Sequence, residues 1–204
     1  MLDKKYNFSE SEKEVQKYWA EEKLYEYKKD GREIYSVDYP PPNVSGTLHI
    51  GHICSYTQAE IAVRYRRLRN YNIFFPFGYD DNGLPTERLA EKKLGIYAKD
   101  MPRSEFIERC SNIIIDVEKE FKKIYSSLGF NIDWNLEYQT ISKSTQRISQ
   151  RSFLELAKMK KAYQKEMPVL WCTHCDTSIA QAELETKLKE TEFVYIKFKI
   201  EMKT

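Results

Sequence analysis

The residues best suited to chemistry lie in one stretch, PPPNVSGTLHIGH, which runs from Pro40 to His52. Only three histidines occur among the 204 residues, and His49 and His52 lie three apart with Gly51 between them. If a helix begins there, both imidazoles project from neighbouring positions of its first turn. Such a pair can hold a metal ion, cap the helix or contact the phosphates of a nucleotide.

The segments on either side of this stretch predict a strand–helix–strand unit. A short strand covers Ile34 to Asp38 and stops at the prolines, which cannot donate to a sheet. A second strand, Ile73 to Phe75, is wholly apolar, as strands of buried parallel sheets are. Between them, after a turn at Ser45-Gly46, apolar residues fall close to one helical face: Ile50, Ile53, Ile61, Tyr65 and Leu68. Residues 34 to 77 are therefore predicted to form one βαβ unit.

A βαβ unit favours a phosphate at the histidine pair. In open parallel sheets, ligands bind where loops leave the carboxyl ends of the strands. The following helix points its N-terminus into that loop, with free N–H groups and the positive end of its dipole. The prolines hold the loop rigid, and Gly51, which has no side chain, lets a flat base or ribose approach the backbone.

Other interpretations stay open from these residues alone. A histidine pair at a helix start is often a structural cap or a surface pair. Zinc would need further ligands, and no third one lies nearby in the sequence. The order strand, prolines, turn, H-x-G-H and helix is nevertheless highly specific as a combination.

The HIGH tetrapeptide, His49-Ile50-Gly51-His52, resembles the signature of the class I aminoacyl-tRNA synthetases. The longer string PNVSGTLHIGH closely resembles the valyl-tRNA synthetases, and so do YDDNGLPTE, FNIDW and LWCTHCDTSIAQAELE further along the chain. The resemblance covers nearly the whole chain, but only the beginning of a synthetase, which is normally several times longer.

The resemblance implies that valine and ATP react to valyl-adenylate and pyrophosphate, and that the valyl group then passes to tRNA(Val). His49 and His52 would be the catalytic residues, which bind the phosphates and stabilise charge, and Gly46 and Gly51 would complete the ATP site. Magnesium would accompany ATP. The whole HIGH region would comprise Pro42, Asn43, Val44, Ser45, Gly46, Thr47, Leu48, His49, Ile50, Gly51 and His52.

Three residues are implied for the amino acid. Asp80 matches the family residue that holds the ammonium group, although an aspartate in such a loop is also an ordinary turn residue. Pro41 and Asn43 would line the pocket. Because threonine is nearly isosteric with valine, packing rejects it only weakly, and family members carry an editing domain inserted after the first half of the catalytic fold.

The predicted fold class is α/β: the first half of a Rossmann-like class I synthetase catalytic domain with a parallel sheet, truncated at the start of the editing insertion. We expect a helical extension over 1–31, the half catalytic domain over 32–166, a CxxC-containing connective segment over 167–192 and the start of the editing domain over 193–204. Beyond the βαβ unit, the patterns predict helices over 9–27, 102–128 and 144–160, a loop over 77–87, and strands over 169–171 and 193–200.

Two further motifs are weaker. Cys172 and Cys175 in CTHC resemble half of a zinc site, but a tetrahedral site needs four ligands, so zinc is possible without a complete ligand set. The string ISKST, Ile141 to Thr145, is similar to the lysine-rich second signature of the family. That loop belongs to the other half of the catalytic fold, so Ser144 is interpreted as a helix N-cap, and this chain alone is not expected to charge tRNA.

Composition sets few limits on function. Lys plus Arg number 33 and Asp plus Glu 31, a balance that neither demands nor excludes a nucleic acid. Apolar runs fall far below the roughly 20 residues of a membrane helix, and residues 1–10 carry no secretory segment. We expect a cytoplasmic protein without a membrane partner, monomeric in its full form. The alternatives are an H-x-G-H nucleotidyltransferase that uses no tRNA, and a nucleotide-binding chain without activity.

Overall fold

The computed structural model describes residues 5–184, 186–188 and 190–199. The chain divides into two compact units, Met1–Glu155 and Leu156–Thr204. Its main elements, in chain order, are α1 (Phe8–Glu21), β1 (Ile34–Ser36), α2 (Ile50–Leu68), β2 (Asn72–Phe74), β3 (Gly78–Tyr79), α3 (Leu84–Leu94), α4 (Arg103–Ser127), β4 (Tyr138–Gln139), α5 (Lys143–Lys158), β5 (Trp171–Cys172) and β6 (Thr177–Ser178).

The predicted βαβ unit is confirmed. β1 pairs in parallel with β2, in a register that places Tyr35 opposite Ile73, and α2 is the crossover between them. β3 pairs in parallel with β4. Asn43, in the loop after β1, forms a further parallel bridge with Asp80.

The segment 72–80 lies in the middle of this parallel arrangement. The carbonyls of Phe74 and Asp80 accept from Val37 and Val44 on the β1 side. The carbonyls of Phe75, Phe77 and Tyr79 accept from the amides of Asp133, Tyr138 and Thr140 on the β4 side. Successive carbonyls of an extended strand point to opposite edges, so one segment binds both neighbours.

Alternate residues of the central segment form the core. Ile73, Phe75, Phe77 and Tyr79 are all at most 3% exposed. They belong to one cluster with side chains from two helices: Tyr56 and Val63 of α2, and Ile114, Val117, Phe121 and Tyr125 of α4. The core thereby fixes α2, and with it the histidine pair, against the sheet.

The predicted apolar face of α2 is wrong in most of its members. Ile50, Ile61, Tyr65 and Leu68 are exposed, and only Ile53 is packed against the core. The buried positions are Tyr56, Glu60 and Val63. A pattern of apolar residues misses this face because a carboxylate lies at its centre.

Glu60 is buried because its charge is fully hydrogen-bonded. It accepts from the backbone N–H of Asn131 at 2.8 Å, from the side-chain amide of the same residue, and from Arg64 at 2.7 Å. Arg64 also donates to the carbonyl of Gly129 at 2.7 Å. A buried carboxylate is tolerated when it is paired in this way, and the network ties α2 to the FNIDW segment.

The helix ends differ from the predictions in detail. α1 begins at Phe8, one residue before its predicted start, and it ends at Glu21 rather than at residue 27. The predicted loop over 77–87 contains β3 and the start of α3. α4 ends at Ser127, within one residue of its predicted end, and Gly129 follows with a φ of +71° that suits glycine. None of the helices within the described residues is long and apolar enough to cross a bilayer.

The N-cap predicted at Ser144 is also wrong. α5 begins at Lys143, and the hydroxyl of the preceding Ser142 accepts from the N–H of Thr145 at 3.3 Å. We expect Ser142→Ala to lower the free energy of unfolding by about 1 kcal/mol, because a first-turn N–H loses its acceptor. Ser149→Ala, at an exposed serine further along the same helix, is the matched control, and denaturant titration compares the two. Equal losses would show that Ser142 does not cap the helix.

Within its described residues, the second unit contains one short hairpin. β5 pairs antiparallel with β6, so that Cys172 lies opposite Thr177; the strand predicted over 169–171 is shifted to Trp171–Cys172. The strand predicted over 193–200 is wrong for residues 193–199, which form none, and residue 200 lies outside the described residues. An alternating pattern needs a neighbouring strand edge, and no described segment provides one here.

Candidate active site

His49 and His52 cap the start of α2 reciprocally. The Nδ1 atom of His49 accepts from the backbone N–H of Gly51 at 3.1 Å, and the Nδ1 atom of His52 accepts from the backbone N–H of His49 at 3.4 Å. The two rings stack with their centroids 3.9 Å apart. The sequence left open that the histidine pair caps the helix, and the structure shows that it does.

This capping fixes which ring nitrogens carry protons. A nitrogen that accepts a hydrogen bond carries no proton, so in each neutral ring the proton is on Nε2. Burial, and secondly the neighbouring His49, lowers the pKa of His52 below its ordinary value of 6.5. The helix start therefore carries two Nε2–H donors that the capping bonds leave unused.

Gly51 has a role that the sequence interpretation missed. A Cβ added there would lie 2.9 Å from Cε1 and 3.0 Å from Nδ1 of the His49 ring. The absent side chain thus makes room for the imidazole of its own neighbour. At Gly46, by contrast, an added Cβ would meet nothing within 4 Å.

The loop before α2 runs alongside Asp80. The N–H of Asp80 donates to the carbonyl of Pro42 at 2.9 Å, and the N–H of Val44 donates to the carbonyl of Asp80 at 2.9 Å. Pro42 and Val44 are buried. The rigid proline loop and the acidic residue are therefore held in one register by the backbone.

Side chains strengthen this register. The Nδ2 group of Asn43 donates to Oδ2 of Asp80 at 3.3 Å and to the carbonyl of Asn82 at 3.5 Å. The Oδ1 atom of Asn43 is buried and has no hydrogen-bond partner among the described residues. A buried acceptor without a donor, beside a carboxylate, suits a ligand that brings N–H groups.

The structure thus brings the predicted residues together as two groups in one loop. Pro42, Asn43 and Val44 contact Asp80, and His49, Gly51 and His52 form the helix start. The connecting residues are Ser45, Gly46, Thr47 and the half-buried Leu48. Ile50 is 81% exposed next to the histidine pair. Among the described residues no hydrogen bond joins either imidazole to Asp80, and Pro41 is half-buried beside Pro42.

Tyr56 is a residue of this site that sequence reasoning missed. It lies in α2 and its hydroxyl donates to the carbonyl of Pro40 at 2.7 Å. Its ring packs on Tyr39 with centroids 3.8 Å apart. Burial raises the pKa of Tyr56 far above its ordinary value, so the hydroxyl remains a donor. It anchors the proline loop to the helix that carries the histidines.

We expect Tyr56→Phe to lower the free energy of unfolding by about 0.5–1.5 kcal/mol, because the Pro40 carbonyl loses its donor. Tyr125→Phe is the matched control. Tyr125 is fully buried in the same cluster, but its hydroxyl has no partner among the described residues, so its removal should be neutral or stabilising. Chemical denaturation of both variants measures the difference, and equal losses would contradict the anchoring role.

The CxxC pair supplies two possible metal ligands. The Sγ atoms of Cys172 and Cys175 lie 3.3 Å apart, and the N–H of Cys175 lies 3.4 Å from the Sγ of Cys172. Within the described residues, no group of three or more His, Cys, Asp and Glu side chains could hold a metal ion. The described residues therefore do not complete a zinc site around this pair.

The geometry supports binding of a ligand with charges of both signs. Two Nε2–H donors and the N-terminal end of α2 suit an anion. Asp80, with the unpaired Oδ1 of Asn43 beside it, suits an ammonium group. The histidines end the proline loop, and backbone hydrogen bonds hold Asp80 against the same loop, an arrangement that can hold two reacting groups in fixed relation.

Comparison with known proteins gives a consistent result. Residues 14–201 match the family model described as tRNA synthetases class I (I, L, M and V). The chain is 48% identical over 202 residues to the valine–tRNA ligase of Rickettsia felis, which covers 97% of this chain and 23% of that protein. It is 48% identical over 200 residues to the valine–tRNA ligase of Rickettsia prowazekii, with 97% and 25% covered. The chain thus spans about a quarter of the length of these curated relatives.

A solved structure shares the fold. It is agnB2 LeuRS of Agrobacterium radiobacter K84 in a ternary complex with tRNA and LeuAMS, with a TM-score of 0.73 and 24% sequence identity. The match covers 88% of this chain and 22% of the other. At this identity the likeness supports the predicted fold class, an α/β synthetase catalytic domain.

Proposed function

The chain belongs to the class I tRNA synthetases (I, L, M and V), and from this premise we propose that it provides the amino-acid- and ATP-binding half of a valine–tRNA ligase. Its substrates are valine and ATP with Mg²⁺, and its partner is tRNA(Val). We place the protein in the cytoplasm as a monomer. The relatives at 48% identity support valine over the other amino acids of the family.

In the proposed reaction the carboxylate of valine attacks the α-phosphorus of ATP. A bond forms between the carboxylate oxygen and phosphorus, the bond to the bridging oxygen of the β-phosphate breaks, and pyrophosphate leaves. The valyl group of the resulting adenylate then passes to the terminal adenosine of the tRNA. The protein supplies position and electrostatic stabilisation in this step rather than proton transfer.

His49 and His52 act on the phosphates in this proposal. Their Nε2–H groups donate to phosphate oxygens, where negative charge develops as the bonds change, and the dipole of α2 adds to the stabilisation. Gly51 has no side chain, so the His49 ring fits beside its backbone. Gly46 leaves open space in the loop that precedes the histidines.

Asp80 binds the ammonium group of valine. Asn43 orients the Asp80 carboxylate by donating from its Nδ2 group. Its unpaired Oδ1 is a second acceptor for the ammonium group. Pro41 and Asn43 line the pocket for the small branched side chain. The observation that carries the proposal is the backbone register that holds Pro42–Val44 against Asp80, a few residues before the two imidazoles.

Editing of threonine completes the proposal for the full-length ligase. It is an established property of valyl enzymes that a hydrophobic pocket discriminates valine from threonine by only about a hundredfold. Hydrolysis of misactivated threonine at a separate site removes the remaining errors. We place residues 193–204 at the start of the domain that carries this site.

Valine-dependent ATP–pyrophosphate exchange by the full-length ligase tests the proposal. We expect exchange with valine, weaker exchange with threonine and none with leucine. Exchange without any amino acid would favour a nucleotidyltransferase that uses no tRNA. Binding of ATP without exchange would leave only a nucleotide-binding protein.

A further inference from the structure

Asp81 is a buried acid that the proposed reaction does not use. It follows Asp80 directly, it is 3% exposed, and neither of its carboxylate oxygens receives a hydrogen bond from an N–H or O–H group of the described residues. An ionised carboxylate in such a place would be strongly disfavoured. The side chain therefore needs either a donor or a proton of its own.

Glu118 of α4 is the polar side chain that faces Asp81. Both acids are attached to consecutive residues at the end of β4. Glu118 accepts from the side-chain amide of Gln139, with both oxygens 2.7 Å from Nε2, and the N–H of Asp81 donates to the hydroxyl of Thr140 at 2.9 Å. Two carboxyl groups held together in this way are compatible when one of them is protonated and donates to the other.

The two cations that flank Glu118 do not remove this requirement. Lys119 and Lys122 flank Glu118 on α4, but they donate to Asp116 and Glu137 respectively. The other charged groups around the pair are acidic: Asp80 in the same segment, Glu137 beside Glu118, and Glu87, which lines a cavity of about 270 Å³ together with Asp81.

We propose that Asp81 and Glu118 share one proton, and that this pair is a positioning device for Asp80. The inference rests on the proposed function of Asp80 in valine binding. The peptide of Asp80 is hydrogen-bonded to the proline loop on one edge, and Asp81 is held to α4 and β4 on the other. The shared proton completes the second attachment, and its loss places repelling charges beside Asp80.

The direction of titration is consistent with a shared proton. Burial, and secondly the charge of Glu118, raises the pKa of Asp81 above its ordinary value of 3.8. Burial likewise raises the pKa of Glu118. The folded protein thus retains a proton that the unfolded chain releases once the pH exceeds 3.8, so the pair makes folding less favourable as the pH rises.

The first experiment detects the proton without any enzymatic assay. The unfolding of the 204-residue chain is followed over a range of pH for the wild type, Asp81→Asn and Glu118→Gln. Either amide can donate permanently to the remaining carboxylate. We expect both variants to gain stability relative to the wild type as the pH rises above 3.8. Asp116→Asn, an exposed acid on the same helix, is the matched control and should show no such gain.

The second experiment reads the positioning role in the full-length ligase. From mildly acidic to mildly alkaline pH, we expect the KM for valine to rise at least about tenfold more in the wild type than in Asp81→Asn, which corresponds to roughly 1.4 kcal/mol of lost ammonium binding. The KM for ATP should stay equal in both. The comparison cancels the titration of valine's own amino group.

The outcomes separate this inference from the proposed function. A stability difference that is independent of pH in both variants would overturn the shared proton. A pH-dependent stability difference with identical valine profiles would overturn the positioning role. Absence of valine-dependent exchange in the wild type would overturn the proposed function, while the stability result would still decide on the shared proton. If Asp81→Asn fails to fold, Glu118→Gln provides the same comparisons.

Discussion

Replacing both His49 and His52 by alanine is expected to slow valine-dependent ATP–pyrophosphate exchange strongly. Loss of one preorganised donor typically slows a reaction about a hundred- to a thousandfold, and the double substitution should cost at least this much. Valine affinity should change little. The donors act on charge that develops only as the α-phosphate reacts, so their loss affects the rate and not the binding of the amino acid. Because the two imidazoles act on one ligand, the effects of the single substitutions should not simply add.

The helix cap complicates this experiment, since His49 also accepts from the N–H of Gly51. His49→Asn separates the two roles. Asparagine is a good N-cap, so it should restore the stability lost in His49→Ala, but it carries no Nε2–H donor and should not restore the rate. His174→Ala, in the second unit, is the matched control and should leave exchange unchanged. Recovery of the rate in His49→Asn would assign the effect to the cap instead.

Replacing Asp80 by asparagine is expected to weaken valine binding by about 1.5–3 kcal/mol, the usual worth of a hydrogen bond to a charged group. This is on the order of a 10- to 150-fold rise in the Kd for valine. ATP binding should remain nearly intact. The substitution keeps the size of the side chain, and its amide oxygen can still accept from Asn43, so the register of the loop is preserved.

Isothermal titration calorimetry of the full-length ligase with valine and with ATP measures both affinities. Asp100→Asn, an exposed acid remote in sequence from the loop, is the matched control. Equal losses for valine and ATP in Asp80→Asn would indicate that Asp80 is a turn residue whose replacement disturbs the fold, and not the partner of the ammonium group.

The sequence by itself determined the local elements that carry the site. β1 ends at Ser36, a few residues before the prolines, the turn at Ser45-Gly46 precedes α2, and β2 lies within one residue of the predicted apolar run. Signals of this kind act on neighbours within a few residues, so they are readable without a fold. The start of α2 at the histidine pair followed from the same signals. The resemblance to valyl enzymes supplied Asp80, which lies 37 residues from the Asn43 that binds it.

The tertiary structure alone decided which side chains these elements bury. α2 buries Glu60 in place of four predicted apolar residues because Asn131, 71 residues away, donates to its carboxylate. Likewise α4 buries Tyr125 in the core, while the more apolar neighbour Ile124 is exposed. Whether a side chain is buried depends on which residues, distant in sequence, pack against it. A local sequence pattern does not identify those residues.

The same reason applies to the residues around the candidate site. Nothing in the order of Tyr79, Asp80 and Asp81 states that Asp80 remains half-exposed while Asp81 is buried without a donor. That difference arises because the central segment is hydrogen-bonded on one edge to the proline loop and on the other to residues 133–140. The chemistry of a carboxylate is set by the groups around it, and for Asp81 one of these, Glu118, comes from a helix more than thirty residues further along the chain.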